Sequence, residues 1–433
     1  TNSILTNSVL SQPPGATGRA GMNISTPANE ISNDMLPEKQ KKKCHLKPKE
    51  FSAILVCVVI VSIVIGIVCS VTMTGGNNAS RMTDVNNLIV SMLGEDVLAD
   101  EGSPQNLAAK WVSDEDEKMV NLEDANELIE RYILAVLYFS TGGTQWYKDL
   151  GFLSSDHHCD WKDKEDGGVF CDNDGKVTRI ELNRNHLVGM FPPDLCHLSN
   201  LDFLYLDTNF LSGRIPVHIG CLVGLKELTI HQNRLVGSIP SEINNLTSLT
   251  LLDLGGNKLS GSIPPEIGRL LDLDTLSLDR NKLSGDIPPE IGDLLNLQYV
   301  YLDKNELSGK IPSQIEHLTK LKNLVFSENQ LSGTISSGIG GLTQLTHLFL
   351  EYNNLSGSIP SELANIIDLK ELAIEGNEKI NGTVPLSFRN FKSGVKIFID
   401  KTDLHGSIHF LCDVANMKEI HADCDKIQCS CWT

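Results

Sequence analysis

From Val177 onward a unit of 24 residues returns almost without drift. LDFLYLDTNFLSGRIPVHIGCLVG opens at Leu201 and LKELTIHQNRLVGSIPSEINNLTS at Leu225, with further units at Leu249, Leu273, Leu297, Leu321 and Leu345. Self-similarity at a fixed period makes each unit one coil of a stacked solenoid, whose core is completed by its neighbours. Within the unit from Leu225, Leu228 and Ile230 fall on one side of a strand while Glu227, Thr229, His231 and Gln232 fall on the other. Successive coils therefore lay strands on one parallel sheet. An Asn follows each strand, from Asn185 and Asn209 through Asn353 and Asn377. Its amide can satisfy backbone groups at the corner, where a buried unpaired group would cost ~1–3 kcal/mol. The Asn column is read as structural and not as ligand-binding.

The L-x-x-L-x-L-x-x-N core and the second half of each unit, L-S-G-x-I-P as in 283–288, resemble plant-type leucine-rich repeats. That class occurs in receptor-like kinases, receptor-like proteins and polygalacturonase inhibitors. Gly permits tight backbone geometry and Pro fixes φ while removing a donor, so this half reads as an extended outer wall. The expected fold class is an α/β solenoid over 177–411, a leucine-rich-repeat horseshoe of about ten coils. A helical N-terminal cap is expected over 122–176 and a Cys-rich C-terminal cap over 412–433.

The sequence opens on Thr1 and not on Met, and is read as open to upstream residues. Residues 1–36 are rich in Ser, Asn, Pro and Gly without a sustained period, a composition that buries too little surface to offset ordering entropy. With the Lys-rich run that follows, 1–50 reads as a disordered basic cytoplasmic tail. Residues 51–71 carry no charge and, at 1.5 Å per residue, extend roughly 30 Å as a helix, enough for one transmembrane crossing. Six Lys precede this span and only Arg81 follows it nearby, so the positive-inside bias predicts a cytoplasmic N-terminus. The repeats would then face the outside of a cell-surface (plasma) membrane, in a single-pass type II arrangement. Residues 72–121 read as an acidic, self-repelling stalk with its densest run at Asp114-Glu115-Asp116-Glu117.

Formal charge is −19 overall, divided as +3 for the first 50 residues and −22 for the remainder. An exterior this acidic argues against nucleic-acid partners. Acceptor sequons for N-glycosylation stand at Asn78, Asn245, Asn354 and Asn381. From about Glu123 the pattern turns helical, with Leu128, Ile129, Tyr132, Ile133, Val136 and Leu137 on a broad apolar face stopped by Gly142-Gly143. Cys159-Asp-Trp161 followed by Gly168-Val-Phe-Cys171 resembles the N-terminal cap of plant-type repeat proteins, with a lengthened loop over 162–166. That resemblance implies a Cys159–Cys171 disulfide. Cys196 and Cys221 hold repeat positions 20 and 21 of adjacent coils, which stack about 4.8 Å apart, within bridging range. The connectivity of Cys412, Cys424, Cys429 and Cys431 stays open. The whole layout resembles single-pass leucine-rich-repeat membrane proteins of diatoms.

Neither a P-loop, a G-x-S-x-G elbow, an H-E-x-x-H helix nor a protein-kinase signature occurs. The Asp-rich loop 160–176 departs from the EF-hand pattern, and no metal or cofactor is expected. The expected chemistry is therefore recognition. Phe203, Tyr205, Asp207, Asp279, Tyr299, Tyr301, Asp303, Phe349, Glu351, Tyr352 and Glu375 are candidate ligand-binding residues of the concave face, rings giving contact area and carboxylates steering. The expected function is non-enzymatic: a receptor-like surface protein without a kinase, taking an extracellular peptide, protein or glycan and signalling through a cytoplasmic or membrane partner. A structural tether between membrane and wall matrix, or an inhibitor of wall-degrading hydrolases, are the alternatives.

Overall fold

The computed structural model describes residues 78–165, 167–391, 394–411 and 417–428. The tail expected over 1–50 and the membrane span expected over 51–71 lie outside these residues, as do Cys412, Cys429 and Cys431. Among the described residues, no helix is long and apolar enough to cross a membrane.

Each repeat unit closes into one coil. The coil from Leu297 runs through a strand, Tyr299–Tyr301, an outer strand, Glu306–Ser308, and a 3-10 turn, Ser313–His317. Strands of successive coils pair in parallel without slippage: Leu276 faces Val300, which faces Leu324, which faces Leu348. These four side chains are fully buried, as the L-x-L pattern requires. The main sheet contains thirteen strands among the described residues. It is parallel from Val177–Glu181 to Glu419–His421. An antiparallel hairpin, Lys162–Asp163 with Gly167–Cys171, precedes it and accounts for the long loop before Gly168.

The corner Asn ladder holds neighbouring coils together. Asn281 Nδ2 lies 3.0, 3.1 and 3.1 Å from the carbonyls of Leu254, Leu278 and Asp279, and its Oδ1 accepts from Leu259 N–H at 2.9 Å. The residue just before each Asn sits in the left-handed region, at φ 57 for Thr208, 51 for Arg280, 56 for Lys304 and 53 for Tyr352. That conformation is unfavourable for residues with a Cβ, and the ladder's hydrogen bonds hold it.

The segment read as an extended acidic stalk is folded from Asn78 onward, which corrects that expectation. Helix α1, Asn78–Leu93, and helix α2, Pro104–Lys110, are followed by a π-helical turn, Trp111–Glu115. Val85, Ile89, Ala108, Ala109, Trp111 and Val112 are buried. Ser103 caps α2 by accepting from Asn106 N–H at 3.1 Å. Arg81 of α1 donates to the carbonyls of Ser113 (3.2 Å) and Val120 (3.0 Å). Of the acidic run, Asp116 is buried while Asp114, Glu115 and Glu117 are exposed. Helix α3, Ala125–Ser140, is capped by Asp124 and buries its apolar face where the repeats begin. It joins the first coil through Val188 N–H to Thr141 O at 2.9 Å.

Both expected disulfides are present: Cys159–Cys171, with Cα atoms 5.5 Å apart, and Cys196–Cys221, at 5.2 Å. At the far end, within the expected C-terminal cap, a last strand forms at Glu419–His421.

Candidate functional site

Because the strands pair in exact rungs, outward side chains form columns along the concave face. One column runs Tyr205, Thr229, Asp253, Ser277, Tyr301, Val325, Phe349, Ala373 and Phe398. Its second half, from Tyr301 to Phe398, is apolar over five successive coils. Val325 and Ala373 were absent from the sequence-derived candidates, because an apolar residue in a repeat reads as core. Only the register assigns them to this column.

The next column, two residues further along each strand, is Asp207, His231, Gly255, Asp279, Asp303, Ser327, Glu351, Glu375 and Asp400. Close spacing of rungs packs these side chains against one another. Asp279, Tyr301 and Asp303, expected on an open surface, are only 7%, 9% and 4% exposed. Phe203, Tyr205, Asp207, Tyr299, Phe349, Glu351 and Glu375 are partly buried. Tyr352 occupies the left-handed corner position and is 45% exposed.

Polar partners restrain several of these groups. Tyr205 Oη donates to Glu227 Oε2 at 2.6 Å, and Asn323 Nδ2 donates to Tyr301 Oη at 3.1 Å. Asp207 accepts from Thr229 Oγ1 at 2.7 Å and from His231 N–H at 2.8 Å. Lys401 Nζ donates to Tyr352 Oη at 3.0 Å. By contrast, Asp303 Oδ1, Ser327 Oγ, Glu351 Oε2 and Glu375 Oε2 are buried without a hydrogen-bond partner. These four atoms belong to four consecutive coils and border the apolar column.

Burial of charge without compensation shifts titration upward. The Asp303 carboxyl is pushed up to about 7 by burial and by the neighbouring Asp279 charge. Burial drives Glu351 up to about 7 against the pull of its local hydrogen bonds. Burial likewise raises Asp207 to about 6, and raises Asp279 and Glu375. The rail can thus accept hydrogen bonds or positive charge from a guest, and beside it the partly exposed rings of Phe349 and Phe398 offer apolar contact, while Tyr301, Val325 and Ala373 between and before them are buried.

The sequons at Asn245, Asn354 and Asn381 are exposed, and Asn78 begins α1. Asn245 ends the 3-10 turn Ser241–Asn245, away from the concave sheet. A grouping of His157, His158 and Cys159 near the N-terminal hairpin is not a ligand set, since Cys159 is oxidised to Cys171 and His158 Nε2 faces Glu130 Oε2 at 3.1 Å.

Comparison with known proteins places this geometry. Residues 252–390 match the model of the leucine-rich repeat region, and 224–246 match that of the leucine rich repeat. No curated protein sequence matches the chain. Among solved structures, the Arabidopsis receptor kinase HAESA, in complex with the peptide hormone IDA and the co-receptor SERK1, is similar at 30% identity and a TM-score of 0.52. That match covers 59% of this chain and 48% of that one. The plant peptide hormone receptor RGFR1, in complex with RGF2, is similar at 32% identity and a TM-score of 0.50, over 57% of this chain and 44% of that one. A plant ice-binding protein is similar at 27% identity and a TM-score of 0.56, over 65% of this chain and 88% of that one. The chain therefore spans less than half the length of either receptor. Period, stacked parallel sheet and the matches over 224–246 and 252–390 agree that the solenoid is built of leucine-rich repeats.

Proposed function

We propose that this protein is a non-enzymatic recognition protein whose concave sheet takes an extended peptide. One observation carries the reading: an apolar column, Tyr301 to Phe398, lies beside three buried carboxylate oxygens, of Asp303, Glu351 and Glu375, that have no hydrogen-bond donor. An unpaired buried acceptor costs about 1–3 kcal/mol, so a guest that supplies donors along this rail removes that cost. A peptide with basic side chains and an aromatic or aliphatic anchor fits both columns at once. The peptide-hormone receptors similar to this chain support peptide as the guest class.

The uncharged stretch 51–71 and the Lys-rich residues before it carry the further proposal of a type II anchor, with the repeats outside the cell-surface membrane. With no kinase signature in the sequence, signalling would pass through a cytoplasmic or membrane partner. The candidate glycans at Asn78, Asn245, Asn354 and Asn381 accord with that exposure.

Panning a random peptide library on the purified protein tests the binding claim. The expected result is enrichment of peptides that combine Arg or Lys with an aromatic residue, lost in the Phe349→Ala/Glu375→Lys variant. Equal enrichment on both proteins would overturn the assignment to this groove.

A further inference from the structure

Upstream of the apolar run, the concave face carries a second constellation that peptide recognition leaves unexplained. His231 and Asp279 hold the same column position two coils apart, and the coil between them contributes Gly255. Gly255 lies outside the left-handed region that commonly demands glycine. What it supplies is space, because a Cβ there would collide with Asp279 Oδ1 and lie 2.8 Å from His231 Nδ1. Over this gap His231 and Asp279 converge on Asp253, and one donor atom from each of the three lies within 4.8 Å of the other two.

The three groups are also poorly compensated. His231 Nδ1 stands 3.4 Å from Asp253 Oδ1, yet it is buried and makes no hydrogen bond. Ser277 Oγ lies 2.8 Å from both Asp253 Oδ1 and Asp279 Oδ1. A hydroxyl carries one proton and donates to one carboxylate at a time, so the two carboxylates compete for this proton. Gly255 N–H donates to Asp253 Oδ1 at 2.9 Å and helps fix that carboxylate. Arg280 Nε is 3.8 Å from Asp279 Oδ2, on a side chain 44% exposed.

We propose that His231, Asp253 and Asp279 form a binding site for a first-row transition-metal dication, with zinc as the best fit. One imidazole nitrogen with two carboxylate oxygens suits zinc, manganese or cobalt, whereas calcium and magnesium favour oxygen donors alone. Zinc bonds of about 2.0–2.2 Å need the donors about 3.4 Å apart; the His231–Asp253 spacing already meets this, and side-chain rotation closes the rest. Three protein ligands leave a coordination position open toward the groove.

Calorimetric titration of the full-length purified protein with zinc chloride tests the site, alongside visible absorption of its cobalt adduct. The expected outcome is one zinc equivalent whose affinity falls at least tenfold in His231→Ala and in Asp279→Asn. Gly255→Ala should weaken it similarly, since it fills the gap without removing a donor. The cobalt adduct should show ligand-field bands without thiolate charge transfer, which separates this site from the C-terminal cysteines. His231 is a quarter exposed, and circular dichroism of each variant verifies folding. The proposal fails if wild-type protein takes no zinc, if folded His231→Ala and Gly255→Ala bind as wild type does, or if the cobalt spectrum shows thiolate ligation alone.

Discussion

Arg131 of α3 donates two hydrogen bonds to Asp116, at 2.7 and 2.6 Å, with both side chains fully buried. The guanidinium also lies 5.2 Å from the Trp111 ring and 4.8 Å from the Trp161 ring. This pair ties the N-terminal helices to the helix that covers the first coil. Removing one partner leaves a buried charge uncompensated, which costs about 3–5 kcal/mol. Arg131→Ala should lower stability by that order in chemical denaturation. Hydrogen exchange should speed first in α1 and α2.

The corner ladder yields a second prediction. Asn281→Ala removes the donor to three carbonyls and the acceptor for Leu259 N–H. Leaving such groups buried and unpaired costs about 1–3 kcal/mol. Exchange at Leu259 and in the coils on either side should accelerate, while the terminal coils keep their protection, as nearest-neighbour coupling in a solenoid requires.

The Cys196–Cys221 bridge closes a short loop between adjacent coils. Cross-linking a loop of this size stabilises by about 3 kcal/mol through the unfolded chain. The Cys196→Ser/Cys221→Ser variant should unfold at lower denaturant concentration by that amount.

Stability should also depend on pH with a definite sign. Glu351 titrates at about 7 in the folded protein, with Ser327, Glu375 and Asp303 as its polar neighbours, against an ordinary value near ~4.3. The folded state therefore binds the proton more tightly than the unfolded chain. The contribution is fully present below the ordinary carboxylate range and is lost as pH rises through about 7. Melting temperature should fall between pH 5 and pH 8. Glu351→Gln should flatten part of that slope, by on the order of 1–2 kcal/mol.

Much of this was legible in the residues. The 24-residue period, the Leu pairs flanking each outward position and the Asn column dictate coil, core and corner, because each uses a repeated physical need. The segment 78–121 was not legible. Helix α2 is short, and Gly94 and Gly102 interrupt the stretch between it and α1, so no apolar period is sustained across the segment. Asp116 sits within an acidic run that looks solvated, and its partner Arg131 lies 15 residues away. Burial of Asp279 and Asp303 was equally hidden, since it arises from packing between rungs and not from local sequence. The unpaired atoms of the rail, and the convergence of His231, Asp253 and Asp279 over Gly255, belong to the stacked register alone.

Photo-crosslinking of a library-enriched basic, aromatic peptide tests the central claim most directly. The predicted result is crosslinks confined to the strands from Tyr299–Tyr301 to Lys396–Phe398, abolished by Phe349→Ala/Glu375→Lys. Crosslinks on the outer wall, at Val217 or Val223 for example, with capture unchanged by that variant, would contradict it.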